Sequence, residues 1–163
     1  MILDIFMPDR DTVTIDLPVK SDTPLVLAVA HKKQLKDLTE KSPDIKSVTR
    51  QFNVSNLVQN YQVLGEAADT VDSLVDNYVV KKINDLNGLI LSIHYTDLKI
   101  YSESTGHLRM VLNLSHKQEE HFLPALELIL YLADKICGLK ISASSKAKAL
   151  KSREVYSQSK EKQ

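Results

Sequence analysis

The stretch "DTVTIDLPV" alternates polar and apolar positions. Val13, Ile15 and Leu17 fall on one face, and Thr12, Thr14 and Asp16 on the other. A two-residue period of this kind predicts a half-buried β-strand. After the turn residues "DTP", the run "LVLAVAH" is apolar throughout and predicts a second short strand, paired with the first as a hairpin. "KKQLKDLTEK" then predicts a short helix with Leu35 and Leu38 turned inward. Ser42-Pro43 ends it, because the residue before a proline avoids the helical region. "VTRQFNVSNLVQN" has no clean period and reads mostly as loop, and "YQVLGEA" is a third strand, broken by Gly65.

The clearest helical pattern follows. Val71, Leu74, Val75, Tyr78, Val79, Ile83 and Leu86 recur at helical spacing and form one stripe. Asp69 or Thr70 can cap its start, Lys81 and Lys82 suit its end, and Asn87-Gly88 closes it. "LILSIHYTDL" and "HLRMVLNLS" are two further strands, joined by the polar loop "KIYSESTG". Ser115 and Gln118 match a capping box, which starts a helix near His116. Its apolar positions are Phe122, Leu123, Leu126, Ile129, Leu130, Ala133, Ile136 and Cys137. Pro124 must kink this helix or reset its start, since it lacks an N–H and collides with the preceding turn. Gly138 can end it in the left-handed conformation. Ser142 or Ser144 can cap a last helix through "KAKALKSREVYSQ". Hairpins mixed with helices in this order predict an α+β fold: an antiparallel sheet with helices packed on one face, and a C-terminal basic helical extension.

Composition is ordinary for a globular protein, with 43% hydrophobic and 26% charged residues in a chain of 163. Charge is not evenly spread. From Gly138 onward, Lys140, Lys146, Lys148, Lys151, Arg153, Lys160 and Lys162 face only Glu154 and Glu161, a surplus that residues 1–137 balance within a net charge of zero. A basic end of this kind points to phosphate or to an acidic surface. Cys137 is the single cysteine, which rules out an intrachain disulfide and fits a reducing compartment. Its place on an apolar helix predicts core packing. Acidic residues and Arg10 interrupt the start, so no signal peptide is visible, and the longest apolar run, "FLPALELILYLA", is too short to span a bilayer. The chain itself is therefore expected to be soluble, even as a piece of a membrane-anchored parent.

The marks of catalysis are missing. The four glycines, Gly65, Gly88, Gly106 and Gly138, leave no phosphate-cradling loop and no nucleophile elbow. His116 and His121 in "HKQEEH" are five apart, on different sides of a helix, where zinc requires one face. His94 and His107 lie on neighbouring predicted strands and read as a solvated cross-strand pair. Glu119-Glu120 and Asp69-Asp72 read as helix N-terminal charge. The triplets Asn53-Val54-Ser55 and Asn113-Leu114-Ser115 are glycosylation patterns that arise by chance; a glycan at the second would crowd a helix start, which favours a cytosolic face. No enzyme, cofactor, metal or calcium loop is expected.

Three ordered stretches carry a family resemblance: "LVLAVAHKKQLKDLTEK", "VLGEAADTVDSLVD", and "FLPALELILYLADKI" running into "KAKALKSREV". Together, from about Asp11 to Val155, they resemble the calumin family. These are coiled-coil-domain proteins of the endoplasmic reticulum membrane and subunits of the PAT complex of the multipass translocon. The resemblance implies a cytosolic α+β domain over residues 1–141 and, over 142–163, a basic helical stub that begins a coiled coil. It implies a non-catalytic scaffold and chaperone cofactor, partnered with the small membrane protein Asterix and with translocon components. It also implies docking on large-subunit ribosomal RNA near the tunnel exit, and no DNA. On that reading Lys146, Lys148, Lys151, Arg153, Lys160 and Lys162 meet RNA phosphate, with a second patch at His31, Lys32, Lys33 and Lys36. The same lysines also fit a solvated helix face, and the tail also fits an unstructured polar end. The alternative function is a protein-docking module of a calcium-homeostasis protein with no direct ribosome contact.

Overall fold

Strand β2 (Thr12–Val19) realises its alternation directly: Val13, Ile15, Leu17 and Val19 all enter the main core, and Thr14 and Asp16 lie on the opposite face. The computed structural model describes residues 3–6, 11–21, 25–41, 43–96, 106–113, 120 and 122–139. The predicted "DTP" turn, all but the last residue of the 99–106 loop, the capping box at Ser115, and the last helix lie outside these residues. So do His116, His121 and every candidate lysine from Lys146 onward.

The other strands are β1 (Asp4–Phe6), β3 (Val26–His31), β4 (Arg50–Phe52), β5 (Tyr61–Gly65), β6 (Ile90–Thr96) and β7 (Gly106–Asn113). The described residues form one antiparallel seven-stranded sheet in the order β1-β2-β7-β6-β3-β5-β4. The expected β2–β3 hairpin is not made. β2 pairs with β1 and β7, while β3 pairs with β5 and β6, so the β6–β7 hairpin lies between them. The physical reason is burial. β3 is apolar on both faces, which suits a central strand with helices above and below. The connection from Lys20 to Leu25 also lacks the Asn-Gly type pair that closes a tight hairpin.

The main helical layer lies on one face, as expected. It comprises α3 (Ala68–Leu74), α4 (Asn77–Asp85) and α5 (Phe122–Cys137), which pack on the core built by β2, β3, β6 and β7. A smaller layer, α1 (Lys32–Lys41) and α2 (Pro43–Val48), covers the other face over β3 and β5. Leu35 and the half-buried Leu38 of α1 sit on Ala28 and Ala30, while Ile45 and Val48 of α2 sit on Val26. α1 ends at Lys41, before Ser42-Pro43, as the proline requires.

The stripe from Val71 to Leu86 is buried as predicted, except for the exposed Tyr78, but it is carried by two helices. Asp76 breaks them. Its backbone is extended and its side chain accepts the Val79 N–H, so it starts α4 as an N-cap. Neither Asp69 nor Thr70 caps α3. That role falls to Ala67, which offers no side-chain bond, and Asp69 sits inside the first turn.

The segment called mostly loop contributes the edge strand β4, and then a loop pinned to α4 by amides. Asn84 accepts the Val58 N–H and donates to the Asn56 carbonyl, while Asn56 takes a positive φ of 68°. In α5, Pro124 resets the start, for the helix begins at Phe122 and the proline falls in its first turn, where a missing N–H costs nothing. The buried stripe is Ala125, Leu128, Ile129, Leu132, Ala133 and Ile136. Leu123, Leu130 and Cys137 point outward, so the core placement expected for Cys137 is wrong. One residue of helical phase separates it from the buried Ile136. Gly138 follows the helix without a positive φ; the left-handed glycine is Gly88, at 90° after α4.

Candidate docking surfaces

Seating α1 through Leu35 forces its charged positions outward. Lys32, Lys33 and Lys36, all candidates from sequence, are exposed on this helix. Its remaining exposed charges are Asp37, Glu40 and Lys41, so acids interrupt the patch. The basic surface continues where sequence reasoning did not look. Lys46 of α2 is exposed. Arg50 of β4 is exposed too but lies on the other face, across from Gly65, with its guanidinium 4.8 Å over the ring of Phe52, which packs on the main core. The spacing of Ile45 and Val48 held the signal for Lys46, since two inward apolar residues three apart leave position 46 outside.

His31 does not join this surface. It ends β3, its Nε2 is buried without a partner among the described residues, and its ring meets Tyr61 edge-on at 4.3 Å. Burial lowers its pKa and favours the neutral ring. Tyr61, beneath it, donates its hydroxyl to the Ile90 carbonyl.

The outer face of the sheet carries a second group. Asp16 of β2 lies directly across from Arg109 of β7 and accepts from its Nε at 3.2 Å and its Nη2 at 2.6 Å. His107 Nδ1 lies 3.1 Å from the other Asp16 oxygen. Burial pushes the Asp16 carboxyl up, but hydrogen bonds from Arg109 and His107, with their charges, outweigh it and hold its pKa below the ordinary value. His94 does not form the solvated pair with His107 expected from sequence. It lies opposite Arg109, and its Nδ1 is buried with no partner among the described residues. Burial, then the Arg109 charge, bring its pKa down to about 4 against a smaller upward pull from Asp16.

A third group ties the helices together. Asp76 accepts from Tyr131 Oη and, at 2.7 Å, from Lys135 Nζ, both on α5, while Lys135 also donates to the Ser73 carbonyl at 2.8 Å. Tyr78 stacks on Tyr131 with ring centroids 4.3 Å apart. None of this gathers a nucleophile, a base and an open cavity. Among the described residues the arrangement offers surfaces for docking, and no helix is long and apolar enough to cross a membrane.

The family model of PAT complex subunit CCDC47 matches residues 1–163. Among the curated proteins, no sequence matches this chain. The crystal structure of the mycobacterial trehalose monomycolate transport factor A, TtfA, is similar in fold, with a TM-score of 0.54 at 12% identity over 86% of this chain and 68% of that one. At that identity the likeness concerns the fold alone.

Proposed function

The chain belongs to the family of the endoplasmic reticulum protein CCDC47, a subunit of the PAT complex, and from that premise we propose that it is a non-catalytic scaffold and chaperone cofactor in multipass membrane protein biogenesis. It works on the cytosolic face of the endoplasmic reticulum, with Asterix as partner, docked at the ribosome–translocon. Residues 1–141 act as the docking domain, and 142–163 begin the basic coiled coil that reaches ribosomal RNA through Lys146, Lys148, Lys151, Arg153, Lys160 and Lys162. The observation that carries the ribosome contact is the exposed basic layer of Lys32, Lys33 and Lys36, extended by Lys41 and Lys46 on one side of the sheet. Lysine and arginine against phosphate release counterions, and this gives salt-dependent, sequence-independent affinity.

Co-sedimentation with ribosomes across a salt series tests it. Binding is expected to fade steeply with salt. Removing residues 142–163 should weaken it, and Lys32→Glu, Lys33→Glu and Lys36→Glu should weaken it further, flattening the log–log salt slope by about one unit per lost contact. Binding insensitive to both changes would refute the basic-layer reading. Loss of binding on truncation alone would assign the contact to the stub.

A further inference from the structure

The loop between β4 and β5 stands against α4, and asparagines hold it there. Asn84 Oδ1 accepts the Val58 N–H at 3.0 Å, and its Nδ2 donates to the Asn56 carbonyl at 2.7 Å. Asn60 Nδ2 donates to Asn87 Oδ1 at 3.0 Å, just past the end of the helix. Within the loop, the Leu57 N–H reaches the Val54 carbonyl and the Tyr61 N–H reaches the Val58 carbonyl. Asn56, with its φ of 68°, is the one non-glycine residue of positive φ among the described residues. A loop tied at this many points is a fixed wall.

Between that wall and the helix lies a cleft of about 350 Å³, lined by Asn56, Asn77, Val80, Lys81, Asn84 and Asp85. Its volume is at the small end of the roughly 300–1,000 Å³ that ligand sites span. Positions 77, 80, 81, 84 and 85 share one flank of α4. The other flank is occupied by α5, where Tyr78 stacks on Tyr131 and Lys82 pairs with Glu127 at 3.7 Å.

The chemistry of the lining selects the occupant. Lys81 Nζ and Asp85 Oδ2 pair with each other at 3.1 Å, so the cleft holds no unbalanced charge to draw a phosphate or a cation. It has no aromatic ring on which a sugar could stack. Asn84 is engaged, but the side-chain amides of Asn56 and Asn77 hydrogen-bond to no other described residue. A carboxamide carries an acceptor oxygen and two N–H donors, the complement of a peptide unit. Asn84 displays the match within this chain, since its one amide takes a backbone N–H and a backbone carbonyl two residues apart. A helix has already paired those groups internally, so the complement of a free amide is an extended segment. We propose that this cleft binds an extended, uncharged peptide segment of a partner protein. The Asn56 and Asn77 amides hydrogen-bond its backbone, and Val80 supplies the apolar part of the contact. The cleft is independent of the ribosome reading, since α4 packs on the opposite face of the sheet from α1.

Three probes test the proposal: a capped hexapeptide of alternating Ser and Val, the same peptide N-methylated along its backbone, and maltotriose. Backbone recognition is indifferent to side-chain sequence, so a generic peptide is a fair probe. Each is titrated into the isotope-labelled whole chain, followed by amide NMR. The plain peptide is expected to shift the side-chain amides of Asn56 and Asn77 and the backbone amide of Val80. The N-methylated peptide, which lacks the backbone donors, should bind about tenfold or more weakly. Asn77→Ala and Asn56→Gly should each weaken the plain peptide about three- to tenfold, the loss of one or two neutral hydrogen bonds. Both side chains are exposed and glycine keeps the positive φ at position 56, so melting temperatures should stay at the wild-type value. No shift at these residues would overturn the proposal, as would equal binding of the two peptides or undiminished binding by Asn77→Ala. Shifts of the same resonances by maltotriose alone would overturn it in favour of a polyol site.

Discussion

Asp76 is the residue whose removal separates local capping from tertiary tethering. It accepts the Val79 N–H at 3.0 Å as N-cap of α4 and also holds Tyr131 and Lys135 of α5. Losing the cap costs about 1 kcal/mol. Charge-assisted hydrogen bonds cost more when buried, but the side chains of Asp76 and Lys135 are 27% and 32% exposed, so water replaces part of what is lost. The tether is therefore worth about 1–2 kcal/mol. Asp76→Ala should destabilise by about 2–3 kcal/mol, or roughly 4–10 °C in melting temperature for a domain of this size. Asp76→Ser keeps the cap but is too short to reach α5, and should cost about half as much. Urea unfolding followed by circular dichroism measures both, and the m-value should not change. There is also a pH signature. Burial pushes the Asp76 carboxyl up, but bonds from Lys135, Tyr131 and the Val79 N–H outweigh that and hold it below the ordinary 3.8. A lowered folded pKa gives stability that is complete above about pH 4 and lost as pH falls through the folded value. The gap between wild type and Asp76→Ala should thus narrow below pH 4. An alanine variant within about 0.5 kcal/mol of wild type, or a serine variant as unstable as the alanine one, would refute this account.

Three further outcomes are expected. Gly106→Ala places a Cβ on the hydroxyl of Tyr95, a fully buried side chain that donates to the Val19 carbonyl at 2.8 Å, so unfolding titrations should show a loss of about 2–4 kcal/mol, part of it recovered in the double variant with Tyr95→Phe. His94, lowered to about 4 by burial, must stay neutral in the folded state; stability relative to His94→Gln should decline as pH falls from about 6.5 to about 4, by at most about 1.4 kcal/mol per pH unit, and a flat difference across that window would refute its burial. Cys137 is exposed and should react with an aromatic disulfide reagent in the native protein as fast as in urea; protection of tenfold or more in the native state would contradict the phase of α5.

Periodicity was most informative where one face alone is apolar. β2, β7 and the Val71–Leu86 stripe have a polar side, so alternation or helical spacing marks their inward residues. It failed where the decision depends on partners distant in sequence. Nothing local says that β3 pairs with β5 and β6, because its residues are apolar on both faces. α5 is the helical counterpart. With Leu, Ile, Ala and Cys on nearly every side, its spacing admits more than one inward stripe, and the choice falls to contacts with β2, β7 and α3. Asp76 was legible in kind but not in effect, since an aspartate inside a helical stripe is a surface charge or a break according to whether an N–H and a lysine converge on it. Among the candidate lysines, Lys32, Lys33 and Lys36 emerged exposed because Leu35 fixed the phase of α1, whereas the neighbouring His31 is a half-buried ring at the end of a strand.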